Sequence, residues 1–292
     1  MAITSLNNLI GSVSSGKKWR TDFNKITGGS AYTAGRSYDM TNLNGHPVAN
    51  AWAGTALTFT ECDEAAGNGT QIFGIRHGGN VSSDVKHLVN MGALAAAATG
   101  IPSTLILVDI EGYWPGISNN TTSAQTLSGT PSLRATNGVG TRLYWVQTAA
   151  AGATAQNLSL SYTDQDGNTG NALPVTVAMT ASAIVGHISH AGIAANNYGP
   201  FLPLAGGDYG VRNVASVTFS AANTGTGALV LAKPLAEIPL GILSVYHNKD
   251  FLSQIPSLPV IPDGACLGLI LVAGGAVAAS TTFIGHIETL WG

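Results

Sequence analysis

Charge is what this sequence has least of. Its 292 residues carry 12 Lys+Arg and 15 Asp+Glu, 9 % of the chain, against about 25 % in an ordinary soluble domain. A monomer of this mass exposes roughly 11,600 Å², which leaves one charge per about 430 Å². A net charge of −3 and a pI near 6.1 exclude a nucleic-acid binder working by bulk electrostatics, because that requires a concentrated basic face. Cysteine is almost absent. Cys62 and Cys266 fit neither a metal-ligand spacing nor a dense disulfide framework, and read as two buried thiols. Long apolar spans are missing too: the uncharged stretch 265–280 (ACLGLILVAGGAVAAS) falls short of the roughly 20 residues a bilayer needs, is broken by glycines, and reads as a buried strand pair. There is no phosphate-binding loop, no dinucleotide turn, no nucleophile elbow and no HExxH.

Apolar content is plentiful. With 45 % hydrophobic residues and a mean hydropathy of +0.23, the chain can bury about three quarters of its unfolded surface, which excludes disorder. The expected fold is mainly β, an antiparallel β-sandwich or jelly-roll-like body over 37–292, with one short helix at about 84–98 and an extended N-terminal arm over 1–36. The helix rests on Ser83–Ala98 (SDVKHLVNMGALAAAA), with Ser83 or Asp84 as N-cap and Gly100-Ile101-Pro102 as stop. Strands are expected at 103–110, 142–148, 157–163, 173–179, 184–189, 211–220, 228–232, 265–272 and 276–287. Asp166-Gly167 marks a hairpin corner, and Pro234 a stop behind 228–232. The Ser/Thr-rich stretch 118–137 is a candidate division of the body into two lobes or a long surface loop. At the start of the chain the positive charges follow the apolar part, the reverse of a secretory signal, so synthesis in the cytoplasm is expected.

Little in the sequence points to chemistry. Asp109 and Glu111, at i and i+2 on a strand, share a face as paired carboxylates do, and Tyr113 and Trp114 follow as a sugar platform. The plainer reading is a strand end carrying carboxylates, and Asp63-Glu64 is similar. His187 and His190, three apart on a strand, face opposite ways, and His77 and His87 are ten apart, so neither a metal site nor a cofactor is expected. Lys17, Lys18, Trp19, Arg20, Lys25 and Arg36 lie in the arm and are candidate assembly contacts, reaching to a neighbouring subunit or a shell. Charge-free runs cover 143–163, 167–207, 213–232 and 264–287, while Thr, Ser and Asn supply 29, 23 and 20 residues. Neutral polar faces can line subunit contacts without the cost of burying unpaired charge.

Two segments carry a resemblance. Lys86–Ile117, with its expected helix, G-I-P break and D-x-E-x-Y-W-P close, and Phe201–Pro239, with L-P-L-x-x-G-D-x-G-V-R before an alternating strand, resemble structural proteins of tailed-bacteriophage particles. The resemblance implies a virion component on the head, made in the host cytoplasm, and assigns no catalytic residue. The sequence has neither a long charged spine helix nor the acidic-to-basic alternation of a scaffold-guided shell protein. The reading is therefore a non-enzymatic decoration or cement protein rather than a major capsid or tail protein. Its partners would be copies of itself, in a homo-oligomer such as a trimer, and other capsid proteins; neither specific nucleic acid nor membrane is implied. From another class, a virion-surface glycan-binding or glycan-cleaving module would use Asp109, Glu111, Tyr113 and Trp114.

Overall fold

A computed structural model describes residues 3, 5–64, 74–97, 100–189, 199–253 and 258–292. The chain is mostly β, as its alternating apolar runs predict. Six antiparallel strands, β2 (Arg36–Asp39), β6 (Ser103–Ser118), β8 (Arg142–Ala149), β12 (His187–Ser189), β14 (Thr226–Leu240) and β16 (Leu267–Ala273), pair in the order β14-β8-β12-β2-β16-β6. A further pairing of β6 with β14 closes this ring into a barrel. Alternate residues point inward and fill it: Val108, Ile110, Tyr144, Val146, Ile188, Ala228, Val230, Ala232 and Ile270 form one buried cluster.

The outward residues of the same strands need cover, and two sheets supply it. On one flank lie β15 (His247–Asp250), β5 (Lys86–Ala95), β17 (Thr282–Trp291), β1 (Lys18–Ile26) and β3 (Asn44–His46), in that order. Their Phe23, Met91, Phe283 and Ile287 meet Leu105, Leu107, Leu269 and Leu271 of the barrel wall. On another lie β10 (Asn171–Ala172), β9 (Gln156–Asp164), β13 (Val211–Phe219) and β7 (Gln125–Thr126), with β11 (Val177–Met179) also on β9. Leu158, Val214 and Phe219 there pack on Leu143, Trp145, Leu229 and Leu231. The strand RLYWVQT is apolar at every position from Leu143 to Val146 because one of its faces lines the barrel and the other meets this sheet. The polar stretch 118–137 is the connection that lays β7 on β13.

The helix expected at about 84–98 is a strand. Lys86–Ala95 is β5, paired with β17 on one edge and β15 on the other. Leu88, Met91, Ala93 and Ala95 face the barrel, with a bulge at Val89 restoring the alternation. A run of alanines favours helix in isolation, but two neighbouring ladders and a buried face decide the outcome here. Gly92 is needed for contact: a Cβ there would lie 2.5 Å from the Tyr246 ring and 2.7 Å from that of His286.

Among the described residues the one α-helix is α1 (Leu6–Ser14), capped by the Ser5 hydroxyl, which accepts from Asn8 N at 3.2 Å. Residues 18–26 of the expected arm are extended, and they pair along their whole length with the chain's own C-terminal strand, from Lys18↔Leu290 to Ile26↔Thr282. Pro234 does not end its strand, since β14 runs to Leu240. β8 leaves β14 after Ala232, so the proline lies where that edge needs no N–H donor.

Gly227 faces Trp145 so closely that an added Cβ would sit 2.0 Å from Cζ2 of the buried indole. Gly227→Ala should therefore displace Trp145 and lower stability by about 1–3 kcal/mol. Urea denaturation checks this, and an unchanged midpoint would mean that the ring has room to move.

Candidate functional site

Asp109 and Glu111 do lie together, but inside the protein. The β6–β14 register steps from Gly112↔Leu231 to Ile110↔Ala232, so Glu111 is the extra residue of a β-bulge. Arg134, from the connection after β7, covers both carboxylates. Its Nη2 and Nε donate to Asp109 Oδ1 and Oδ2 at 2.7 and 3.2 Å, and Nε lies 3.7 Å from Glu111 Oε2. Nη1 and Nη2 also donate to the carbonyls of Cys62 and Ile110, both at 2.6 Å. Glu111 accepts from Arg134 N at 2.8 Å and Ala135 N at 3.1 Å, and Asp109 from Cys266 N at 3.0 Å. Burial raises the Glu111 carboxyl above its ordinary range, against the opposing pull of Arg134.

The sugar platform is likewise closed. Trp114 is buried, with Nε1 donating to Ser128 O at 3.1 Å. Tyr113 is buried edge-on to Trp52, its hydroxyl donating to Ala53 O at 2.7 Å. All four proposed glycan residues are buried. The i, i+2 spacing identified a shared cluster but could not show that its face is turned inward.

A second buried cluster went unread in the sequence. His77 is fully buried, with Nε2 2.7 Å from Glu64 Oε2 and 3.1 Å from Ala265 O. Its Nδ1 faces Lys86 Nζ at 2.8 Å. Lys86, also buried, donates to Gly79 O and lies 5.5 Å above the Trp291 ring. Burial pushes the Lys86 ammonium below its usual range, while the His77 contacts outweigh burial and hold the Glu64 carboxyl low. These bonds tie the 74–81 loop to the first residue of β5 and the last of β17. Glu64 and His77 stand out singly in the sequence, but nothing there pairs them with each other or with Lys86.

The proposed assembly contacts divide. Lys17 pairs with Asp84 at 2.7 Å, Lys18 with Glu288 at 2.9 Å, and Arg20 with Asp22 at 3.0 Å. All three remain partly exposed, as does Trp19, whose Nε1 donates to Thr21 Oγ1 at 2.7 Å. Arg36 is half-buried and donates to Thr180 Oγ1 at 3.2 Å. Lys25 is no surface contact. It is 2 % exposed and donates to Leu43 O and Pro47 O at 3.2 and 2.6 Å, because its place in β1 turns it inward with Phe23.

Of the metal candidates, His187 is buried edge-on to Tyr38 at 5.2 Å, and His190 lies outside the described residues. Among the described residues no three His, Cys, Asp or Glu side chains gather as a metal site, and no helix is long and apolar enough to cross a membrane.

Two outcomes follow. Arg134→Met leaves two buried carboxylates without their cation and should cost about 3–5 kcal/mol in urea denaturation. Burial depresses the Lys25 ammonium to about 8 from 10.5. Below pH 8 both folded and unfolded states carry the charge and the burial penalty is complete; it fades between pH 8 and 10.5. The stability difference between the wild type and Lys25→Met should thus move in favour of the wild type by about 2 kcal/mol from pH 7.5 to 10. A pH-independent difference would show that Lys25 is well solvated.

No protein-family profile matches the sequence, and no curated protein does. Alignments to solved structures reach infectious bursal disease virus VP2 in a subviral particle, at 7 % identity and a TM-score of 0.21, covering 94 % of this chain and 80 % of that one. T=1 particles derived from the same virus align at 7 % identity and a TM-score of 0.17, covering 94 % and 77 %. Similarity of this degree lies below that of shared folds, and no function is transferred from it.

Proposed function

We propose that the chain is a non-enzymatic structural component of a virus particle, a decoration or cement protein of tailed-bacteriophage type that self-assembles on the head and stabilises it. The resemblance supports the virion assignment through the G-I-P break, the D-x-E-x-Y-W-P close and 201–239, since the helix expected within 86–117 is a strand. A single observation carries the self-assembly. Among the described residues, twelve of the sixteen exposed large apolar side chains belong to one flank. Leu6, Ile10 and Val13 form a stripe on α1; Trp19, Ile26 and Ile284 lie on β1 and β17; Ile242, Leu243, Val245, Tyr246, Leu252 and Val260 surround β15 and β5. Apolar side chains left in water in this number on one flank mark a surface suited to a partner.

Charge agrees with apolar content here. Lys18, Arg20 and Lys249 are offset on this sheet by Asp22, Asp250 and Glu288, so the flank carries no sign that would repel a copy of itself. Many modest contacts of this kind can clamp adjacent shell subunits through multivalency.

Sedimentation at micromolar concentration should show a small oligomer, and Ile242→Asp with Val245→Asp should return it to monomer while changing the subunit's own unfolding free energy by no more than about 1 kcal/mol. Salt should change the association little. Closed particles or sheets on expression would instead mark a shell protein. A chain that stays monomeric at high concentration and does not bind empty heads would overturn the proposal.

A further inference from the structure

The two cysteines, 204 positions apart, meet on one edge of β6. β14 occupies the other edge of that strand throughout. On the free edge, β16 pairs with 103–109, and β4 (Thr60–Glu61) pairs with Gly112 and Tyr113. The two short ladders run end to end, and the cysteines stand at the gap between them. Cys62 N donates to Glu111 O at 3.1 Å, and Ile110 N donates to Cys266 O at 2.8 Å, so the two residues oppose consecutive positions of β6. Both side chains turn into the barrel cluster with Ile110 and Tyr113, where burial first and the neighbouring Cys266 thiol second raise the Cys62 thiol above its ordinary range. Arg134 and Asp109 fix the backbone on each side, through Cys62 O and Cys266 N.

We propose that this pair is an oxidisable site, which closes an intramolecular Cys62–Cys266 disulfide across the β4–β16 seam when the protein meets a disulfide oxidant. The inference does not depend on the virion assignment. Adjacent positions on one strand edge place the Cα atoms within the range a disulfide spans. Both thiols are free and buried, and burial keeps the Cys62 thiol protonated, so a reducing cytoplasm leaves the pair open. In an oxidising medium a small disulfide such as oxidised glutathione supplies the chemistry. One cysteine thiolate attacks it, releasing one glutathione thiol and forming a mixed disulfide. The second cysteine, as thiolate, attacks that bond and releases the second glutathione, so two protein thiols are oxidised and one glutathione disulfide is reduced. Buried thiols react slowly, and the rate should follow opening of the seam.

The test treats the full-length folded protein with oxidised glutathione at pH 8 and reads intact mass, a peptide map and the melting temperature. The expected product is a single chain without an intermolecular disulfide, lighter by two hydrogen atoms, with the peptides of Cys62 and Cys266 joined. It melts on the order of 5–10 °C higher, reversibly with dithiothreitol, and neither Cys62→Ser nor Cys266→Ser forms it. Stable glutathione adducts on both cysteines, a disulfide-linked dimer, or unreacted thiols under conditions where urea-unfolded protein reacts would each overturn the proposal. A serine variant that fails to fold leaves the peptide map of the wild type to decide.

Discussion

The pairing of β6 with β14 is the constraint on which the rest of the architecture depends. It runs from Ser103↔Leu240 to Ser118↔Thr226 and turns an open sheet into a ring, so none of the six strands has a free edge along its full length. Closure fixes which side chains face inward, and the outward ones then become apolar walls that need cover. Each flanking sheet answers one of those walls. Small residues make the closure possible: Ala228 and Ala232 leave the interior to Tyr144, and Gly227 admits the indole of Trp145 from outside.

A strand of sixteen residues that must serve barrel and flanks cannot stay regular. β6 bulges at Glu111, where its first partner on the free edge, β16, gives way to β4. Arg134 belongs to that change of partner. Its guanidinium bonds the carboxylate of Asp109 and the carbonyls of Cys62 and Ile110, groups that the broken ladder would otherwise leave without donors. The buried charges therefore follow from the topology. An isolated ion pair in the interior gives little net stability, whereas this one satisfies backbone groups as well.

Much of this was legible in sequence because alternation survives folding. The strands at 103–110, 142–148 and 157–163 lie within β6, β8 and β9, that at 211–220 overruns β13 by one residue, and the Asp166-Gly167 corner joins β9 to β10. What escaped was nonlocal. No local pattern tells that Lys86–Ala95 will find a ladder on each edge, or that Arg134, in a Ser/Thr-rich stretch, will reach the carboxylate of Asp109. Lys25 shows the same limit. A lysine on a strand reads as solvent-facing until the strand is known to pack with Phe23 and Lys25 turned inward.

The scarcity of charge acquires a different location once the fold is known. The charge-free runs 143–163, 167–207, 213–232 and 264–287 contain β10, β11, β12 and β16, most of β8, β9 and β13, and about half of β14 and β17. The barrel strands among them lack charge because both of their faces are buried, whereas β9 leaves uncharged residues such as Asn157 and Ser159 in water. Six of the 27 charged side chains, Lys25, Asp39, Lys86, Asp109, Glu111 and Asp164, are themselves buried, leaving one for about 560 Å² of an 11667 Å² surface. The surface is therefore barer than composition implied, and the flank of α1, β1, β15 and β17 is where neutral charge balance coincides with exposed apolar side chains. Burial explains the missing charges in the barrel strands, whereas on this flank it leaves the apolar side chains in water. The proposed association with a second copy would remove that contradiction by the same hydrophobic term that holds the sheets to the barrel.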